Sequence, residues 1–184
     1  MLKIKNNHRL NNFGFTLVEL LVVITILGIL ATVGLVAFTS AQTRGRDTER
    51  KSDLKQLSNA LELYFSDHGS YPSSSGGLIM GCPSTVPSIC SWGTSEFTDN
   101  KTLYFKTLPK DPVSDEQYYY RTVIVDSVAN QGFQLYARLE NSQDPSCING
   151  NCGTHVDLPT NVNCGSSGSC NFAVTSANVT AIQQ

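Results

Sequence analysis

The segment that decides the fold reads Gly14-Phe15-Thr16-Leu17-Val18-Glu19-Leu20 and continues as Leu21-Val22-Val23-Ile24-Thr25-Ile26-Leu27-Gly28-Ile29-Leu30-Ala31. From Leu20 to Phe38 no side chain ionises. At about 1.5 Å per helical residue this stretch spans roughly 28 Å, close to the hydrocarbon core of a bilayer, and it predicts one transmembrane helix. A secretory signal peptide fits poorly, because its apolar region is only about 7–15 residues long and ends in a small-residue cleavage site. The residues ahead of the segment carry Lys3, Lys5 and Arg9 and no acid. Cationic flanks stay in the cytoplasm, which places the N-terminus inside and everything beyond Ser40 outside. Glu19 is the anomaly. A carboxylate in a membrane helix costs about 2.5–3.5 kcal/mol at mid-span and less near an end, so it demands a partner.

Over the whole chain the charged fraction falls below the roughly 25% usual for a soluble domain, with apolar residues crowded into the first forty positions and Ser, Asn, Gly, Thr and Cys towards the C-terminus. The chain has 184 residues, 40% hydrophobic, 15% charged and 9% aromatic, with a formal net charge of −2. That length admits one globular domain beyond the membrane segment. The near-zero charge balance supplies no polybasic field for phosphates and argues against a sequence-specific nucleic-acid partner. His8, His68 and His155 are accompanied by no Gly-rich phosphate cradle and no nucleophile signature, so the chain reads as a structural protein, not an enzyme.

A basic leader ending in Gly14, then Phe15, then Glu19 four residues on, then a membrane-length apolar run, resembles the N-terminus of type IV pilins and type II secretion pseudopilins. The strict likeness covers about residues 9–38. It implies cleavage by prepilin peptidase between Gly14 and Phe15, with N-methylation of Phe15. It also implies storage in the inner membrane and polymerisation by an assembly platform and its ATPase, with copies of this chain and other pilins as partners. The organisation follows: residues 1–14 a cleaved leader, 15–41 the transmembrane and filament-core half of a helix, and 42–184 an extracytoplasmic globular domain. Each part has a physical reason. Gly14 lets a protease approach an extended backbone closely. Glu19 lies about one helical turn, roughly 6 Å, beyond Phe15, so its carboxylate would neutralise the amino terminus of a neighbour staggered by that rise and act as the assembly key. Gly28 and Gly34 permit close helix packing. Many relatives carry a proline late in the apolar segment; this chain has Val36 and its neighbours there.

Nothing between Thr39 and Asp67 stops the helix, which is expected to run from Phe15 to Ser66 and to end at Asp67-His68-Gly69. Leu54, Leu57, Leu61, Tyr64 and Phe65 share one face and should be buried. The charges Arg44, Arg46, Arg50, Lys51 and Lys55 with Asp47, Glu49 and Asp53 read as a solvated face containing an Asp47–Lys51 pair, or more sharply as a contact between subunits. Residues 71–100 read as an irregular connection. Strands are expected over 102–108, 117–125 and 132–139, the last alternating Phe133, Leu135, Ala137 and Leu139 inward, with a further strand within 171–182. The sum is α+β: a long N-terminal helix against a small antiparallel sheet with a disulfide-stapled C-terminal loop region, similar to the pilin fold.

Six cysteines lie beyond the membrane segment, in an oxidising compartment. Loop closure favours near neighbours, which selects Cys82–Cys90, Cys147–Cys152 and Cys164–Cys170. The wider gaps argue against zinc. Residues 141–170 read as an exposed loop. Major pseudopilins bind calcium in a C-terminal loop, so the resemblance raises calcium at Asp144 and Asp157; their spacing is not that of a calcium loop, and no cofactor is expected. The polar, stapled tail favours a surface pilus serving adhesion, motility or DNA uptake. A type II secretion pseudopilin is the alternative, and a membrane-anchored extracytoplasmic binding module is the reading from another class.

Overall fold

The computed structural model describes residues 14–82, 88–153, 158–159, 161–166 and 168–182; Lys3, Lys5, His8, Arg9, His155 and Asp157 lie outside them. Helix α1 spans Leu17–His68. The chain divides into two units, the first ending at Ala41 and the second starting at Gln42.

In the first unit the helix has no covering layer. The large apolar side chains described between Phe15 and Phe38 are 46–82% exposed, as a surface meant for lipid or for other helices must be. Among the described residues, α1 is the one helix long and apolar enough to cross a membrane.

In the second unit the same helix becomes one-sided. Leu54, Leu57 and Leu61 are fully buried, with Tyr64 and Phe65 packed at the margin. Gly69, at φ 71°, takes the left-handed conformation that ends α1, and its N–H returns to the Phe65 carbonyl at 2.7 Å. The strands are β1 (Ser74–Ser75), β2 (Leu78–Cys82), β3 (Ser88–Cys90), β4 (Phe97–Thr98), β5 (Leu103–Phe105), β6 (Tyr119–Val125), β7 (Val128–Ala137) and β8 (Phe172–Thr175). They form three antiparallel sheets, β1-β2-β3, β4-β5 and β6-β7-β8. One core unites the helix stripe with Ile79, Phe97, Leu108, Tyr118, Tyr120, Phe133 and Leu135. Burying side chains of this size contributes about 1.5–3 kcal/mol each, and this outweighs the modest sheet propensity of the short strands.

In its strands and loops the structure departs from the sequence expectations in four places. Residues 71–100 are not merely irregular, since they supply β1 to β4, strands too short for periodicity to reveal. The strand expected over 102–108 shrinks to Leu103–Phe105, paired with β4 alone. β7 does not bury a single face: Phe133 to Ala137 are all buried, because β7 is the central strand and the C-terminal tail covers its other side. That tail is held by Tyr136 Oη and Gln134 Nε2, which donate to the Ala181 and Thr180 carbonyls at 2.6 Å each. Finally, the stretch after β7 is not simply exposed loop. Cys147, Cys164 and Cys170 are buried, and Cys164 and Cys170 join Tyr136 in a small second core.

Candidate assembly site and loop tether

The N-terminal motif is presented openly. Gly14 has no heavy atom within 4 Å of the position a Cβ would take, and Phe15 is 82% exposed. Thr16 and Glu19 then close a reciprocal box at the helix start. The Glu19 N–H donates to Thr16 Oγ1 at 3.2 Å, while Glu19 Oε2 accepts from the Thr16 N–H at 3.3 Å and from Thr16 Oγ1 at 3.1 Å. The carboxylate therefore has an intrachain partner, and its charge lies at the positive end of the helix dipole. The Thr-x-x-Glu pattern was legible as a capping box but is overshadowed by the membrane run. Gly28 and Gly34 lie on the uncovered part of α1, with no atom within 4 Å of a Cβ position.

Part of the charged stretch of α1 departs from the solvated face expected of it. Arg50 is fully buried, and its Nε and Nη2 hold the two oxygens of Asp111 at 2.8 Å each. Its Nη1 donates to Asp47 Oδ1 at 2.9 Å and to Glu140 Oε1 at 2.7 Å. Arg46 Nε also reaches Glu140 Oε1, at 2.7 Å. Asp47 turns outward along the chain as well, its oxygens accepting the backbone N–H groups of Glu140 and Asn141 at 2.9 Å each. Lys51 pairs with Asp144, not Asp47, and reaches Ser146 Oγ at 3.1 Å. Asp53 accepts the Tyr118 hydroxyl at 2.7 Å. Arg44, Glu49 and Lys55 are exposed, as a solvated face requires, whereas Arg46, Asp47, Arg50, Lys51 and Asp53 find partners within the chain. They tie the helix to the loops before β6 and after β7.

Proton affinities follow from this geometry. Burial opposes the charged form of Arg50, yet the bonds it donates to Asp111 and Glu140 hold the guanidinium above the usual arginine range. The Arg46 hydrogen bond, against burial and with help from Arg50, pulls Glu140 down to about 2. Lys51 lowers Asp144. Burial raises Asp53 despite the Tyr118 bond.

Disulfides join Cys82 to Cys90, Cys147 to Cys152 and Cys164 to Cys170, the pairs that short loop closure favours. His68 is at the end of α1, its ring stacked on Tyr64 with centroids 4.1 Å apart, and Nε2 lies 3.3 Å from Asp99.

Of the two acids raised for calcium, Asp157 lies outside the described residues and Asp144 is engaged within the chain. One Asp144 oxygen is taken by Lys51 and the other by the Ser146 N–H at 2.9 Å. Among the described residues no three His, Cys, Asp or Glu side chains gather into a metal-ligand set.

A membrane-length helix with a capped Glu19 at its start, continuing into a helix-on-sheet unit, is a pilin-like arrangement. Family comparison is consistent with it. Residues 9–35 match the prokaryotic N-terminal methylation motif, and residues 37–137 match type II secretion system protein G. The second match covers more than half of the chain, and the chain belongs to that pilin-like family of structural subunits. It is 36% identical over 108 residues to the type II secretion system core protein G of Pseudomonas aeruginosa, spanning 58% of this chain and 71% of that one. It is 34% identical over 101 residues to core protein G of Escherichia coli K12, spanning 54% and 65%. It is also 42% identical over 60 residues to the type IV major pilin protein PilA of Myxococcus xanthus, spanning 33% and 27%. No solved structure matches the chain. The protein G match ends with β7, so β8 and two of the three disulfides belong to a C-terminal extension beyond it.

Proposed function

We propose that the chain is a pseudopilin, a non-enzymatic subunit of a type II secretion filament, processed between Gly14 and Phe15, methylated at Phe15 and anchored by α1 until it is assembled. The observation that carries this reading is the match of the helix and sheet, residues 37–137, to secretion protein G, directly following the methylation motif. It displaces the surface pilus as the first choice, because a polar, stapled tail is a weaker signal than similarity through the core. Glu19 is the assembly residue, exchanging its own Thr16 N–H for the freed amino group of a neighbouring subunit. The partners are further copies of the chain, prepilin peptidase, the inner-membrane platform and its ATPase, and the domain faces away from the cytoplasm.

The surface pilus remains the second reading, favoured by the PilA likeness and by the extension after β7. Deletion of the gene separates the two: loss of secreted enzymes with surface filaments intact supports the pseudopilin, and loss of sheared surface filaments with normal secretion supports the pilus. Mass analysis of the membrane-extracted chain tests the class itself. A methylated Phe15 terminus is expected, and a retained leader in a cell that holds the peptidase would point to a tethered binding module.

A further inference from the structure

Two polar atoms of the second unit are buried without a hydrogen-bond partner among the described residues, and both belong to residues lining one cavity. They are the indole Nε1 of Trp92, a donor, and Oε2 of Glu116, an acceptor. An unmet buried polar group costs about 1–3 kcal/mol, so a donor and an acceptor left unmet around one cavity point to a molecule that serves both. The cavity measures about 490 Å³, within the roughly 300–1,000 Å³ of small-molecule sites. Trp92, Pro112 and Val113 give it an apolar wall, and Lys110 and Gln117 join Glu116 in its polar lining. These walls are held from behind. Trp92 meets Tyr118 edge-on with centroids 5.9 Å apart, and the Tyr118 hydroxyl is fixed by Asp53. Asp111, between Lys110 and Pro112, is gripped by Arg50 and accepts the Val113 N–H at 2.9 Å. Gly93 takes φ 77°, and a Cβ there would come within 2.9 Å of Lys110 Cδ, so glycine leaves room for the lysine stem. A site whose walls are already in place loses little entropy when it is filled.

The ligand's chemistry follows from what is unmet. A bare anion would serve the indole N–H and be repelled by the Glu116 carboxylate, a bare cation would do the reverse, and an apolar molecule would serve neither. A hydroxyl donates and accepts at once. A pyranose carries several hydroxyls around a ring whose C–H face is apolar enough to lie on an indole. One residue of an extended peptide brings a single main-chain N–H and a single C=O, fewer than the polar groups around this cavity. We propose that the cavity is a saccharide-binding site, with Trp92 as its platform and N–H donor and Glu116 as the acceptor for a sugar hydroxyl. Both atoms are shut off from solvent as the side chains stand, so binding includes a rotation of these side chains towards the sugar, a common adjustment at binding surfaces. The site lies wholly within the second unit and holds whichever filament the chain enters.

Trp92 is the chain's one tryptophan, so its fluorescence and its indole N–H resonance report on this cavity directly. The test uses the full-length protein in a detergent that carries no sugar headgroup, titrated through the millimolar range with glucose, galactose, mannose and N-acetylglucosamine. A saturable change in fluorescence together with a shift of the indole N–H is expected from at least one of these sugars. Glu116→Gln keeps the size of the side chain and should weaken that binding about tenfold, with an unchanged melting temperature showing an intact fold. Lys110→Ala, at the exposed rim, should weaken it less. Unchanged affinity in Glu116→Gln overturns the proposal, as does the lack of a saturable response to every sugar. A stronger response to acetyl-leucine-amide would make the cavity a peptide site and overturn it equally. A long-lived water detected at the indole N–H, with no response to sugar, would assign the unmet atoms to solvent inside the fold and end the proposal. Should Glu116→Gln not fold, the titration of the parent protein still decides.

Discussion

Glu19 has a partner in its own chain, and under the proposed assembly it would exchange that partner for a neighbour's amino terminus, so the energetics of each decide what its replacement does. In the single chain it caps its own helix through Thr16, which satisfies an N–H that the first turn would leave without a partner. Thr16→Ala removes half of this box and should cost about 1 kcal/mol at the helix start, read as faster amide exchange over residues 17–20. Glu19→Ala loses the cap and the charge together. Processing and membrane insertion should proceed, because neither Gly14 nor the apolar run is touched, while assembled filament falls sharply. Quantifying mature subunit in membranes against filament in the sheared fraction checks this, and wild-type filament yield would refute pairing across subunits. The Thr16–Glu19 spacing and the Gly14–Phe15 junction were both readable from the sequence, since they depend only on neighbours along the chain.

At the level of the element, α1 changes character where the first unit gives way to the second. Its apolar half is uniformly exposed, whereas its later half buries one stripe and places Arg46, Asp47, Arg50 and Lys51 along the loop after β7. The stripe Leu54, Leu57 and Leu61 was legible from helical periodicity. The ionic contacts were not, because Asp111 and Glu140 lie about 60 and 90 residues away along the chain and nothing local marks them as partners. Charges on a helix pair by default three or four residues apart, which points Asp47 to Lys51, whereas Lys51 meets Asp144. The tether also has a pH signature. Glu140 binds its proton less readily when folded, near 2 against an ordinary 4.5, so it stabilises the fold above the ordinary value, and that contribution is lost as pH falls towards 2. Unfolding followed between neutral pH and pH 2 should show stability declining through this window, and Glu140→Gln should flatten part of the decline.

For the second unit as a whole, the extension completes the sheet. β8 pairs with one edge of β7, and the tail beyond it crosses β7 at Gly132, where a Cβ would come within 2.3 Å of Val179 Cγ2. Valine is branched and stiff, so Gly132→Ala has no flexible side chain to displace. The substitution should destabilise the unit by about 1–3 kcal/mol, seen as a lower melting temperature with increased exchange at residues 176–181. A variant as stable as the parent would mean that the tail does not seal this face. The disulfides Cys147–Cys152 and Cys164–Cys170 restrain the polar stretch between β7 and β8, which has few apolar residues with which to fold by itself.

The sequence by itself determined the N-terminal methylation motif, the membrane-length helix, its buried stripe and the strongest strands, because each is written in spacing along a single element. Tertiary structure alone decided that Arg46, Asp47, Arg50, Lys51 and Asp53 find their partners on distant segments of the chain, that β7 is covered on both faces, and that residues 71–100 fold into short strands. Those outcomes depend on which distant segments meet. A buried guanidinium is stable only where carboxylates from other segments reach it, and short strands persist only when a shared core compensates their lost entropy.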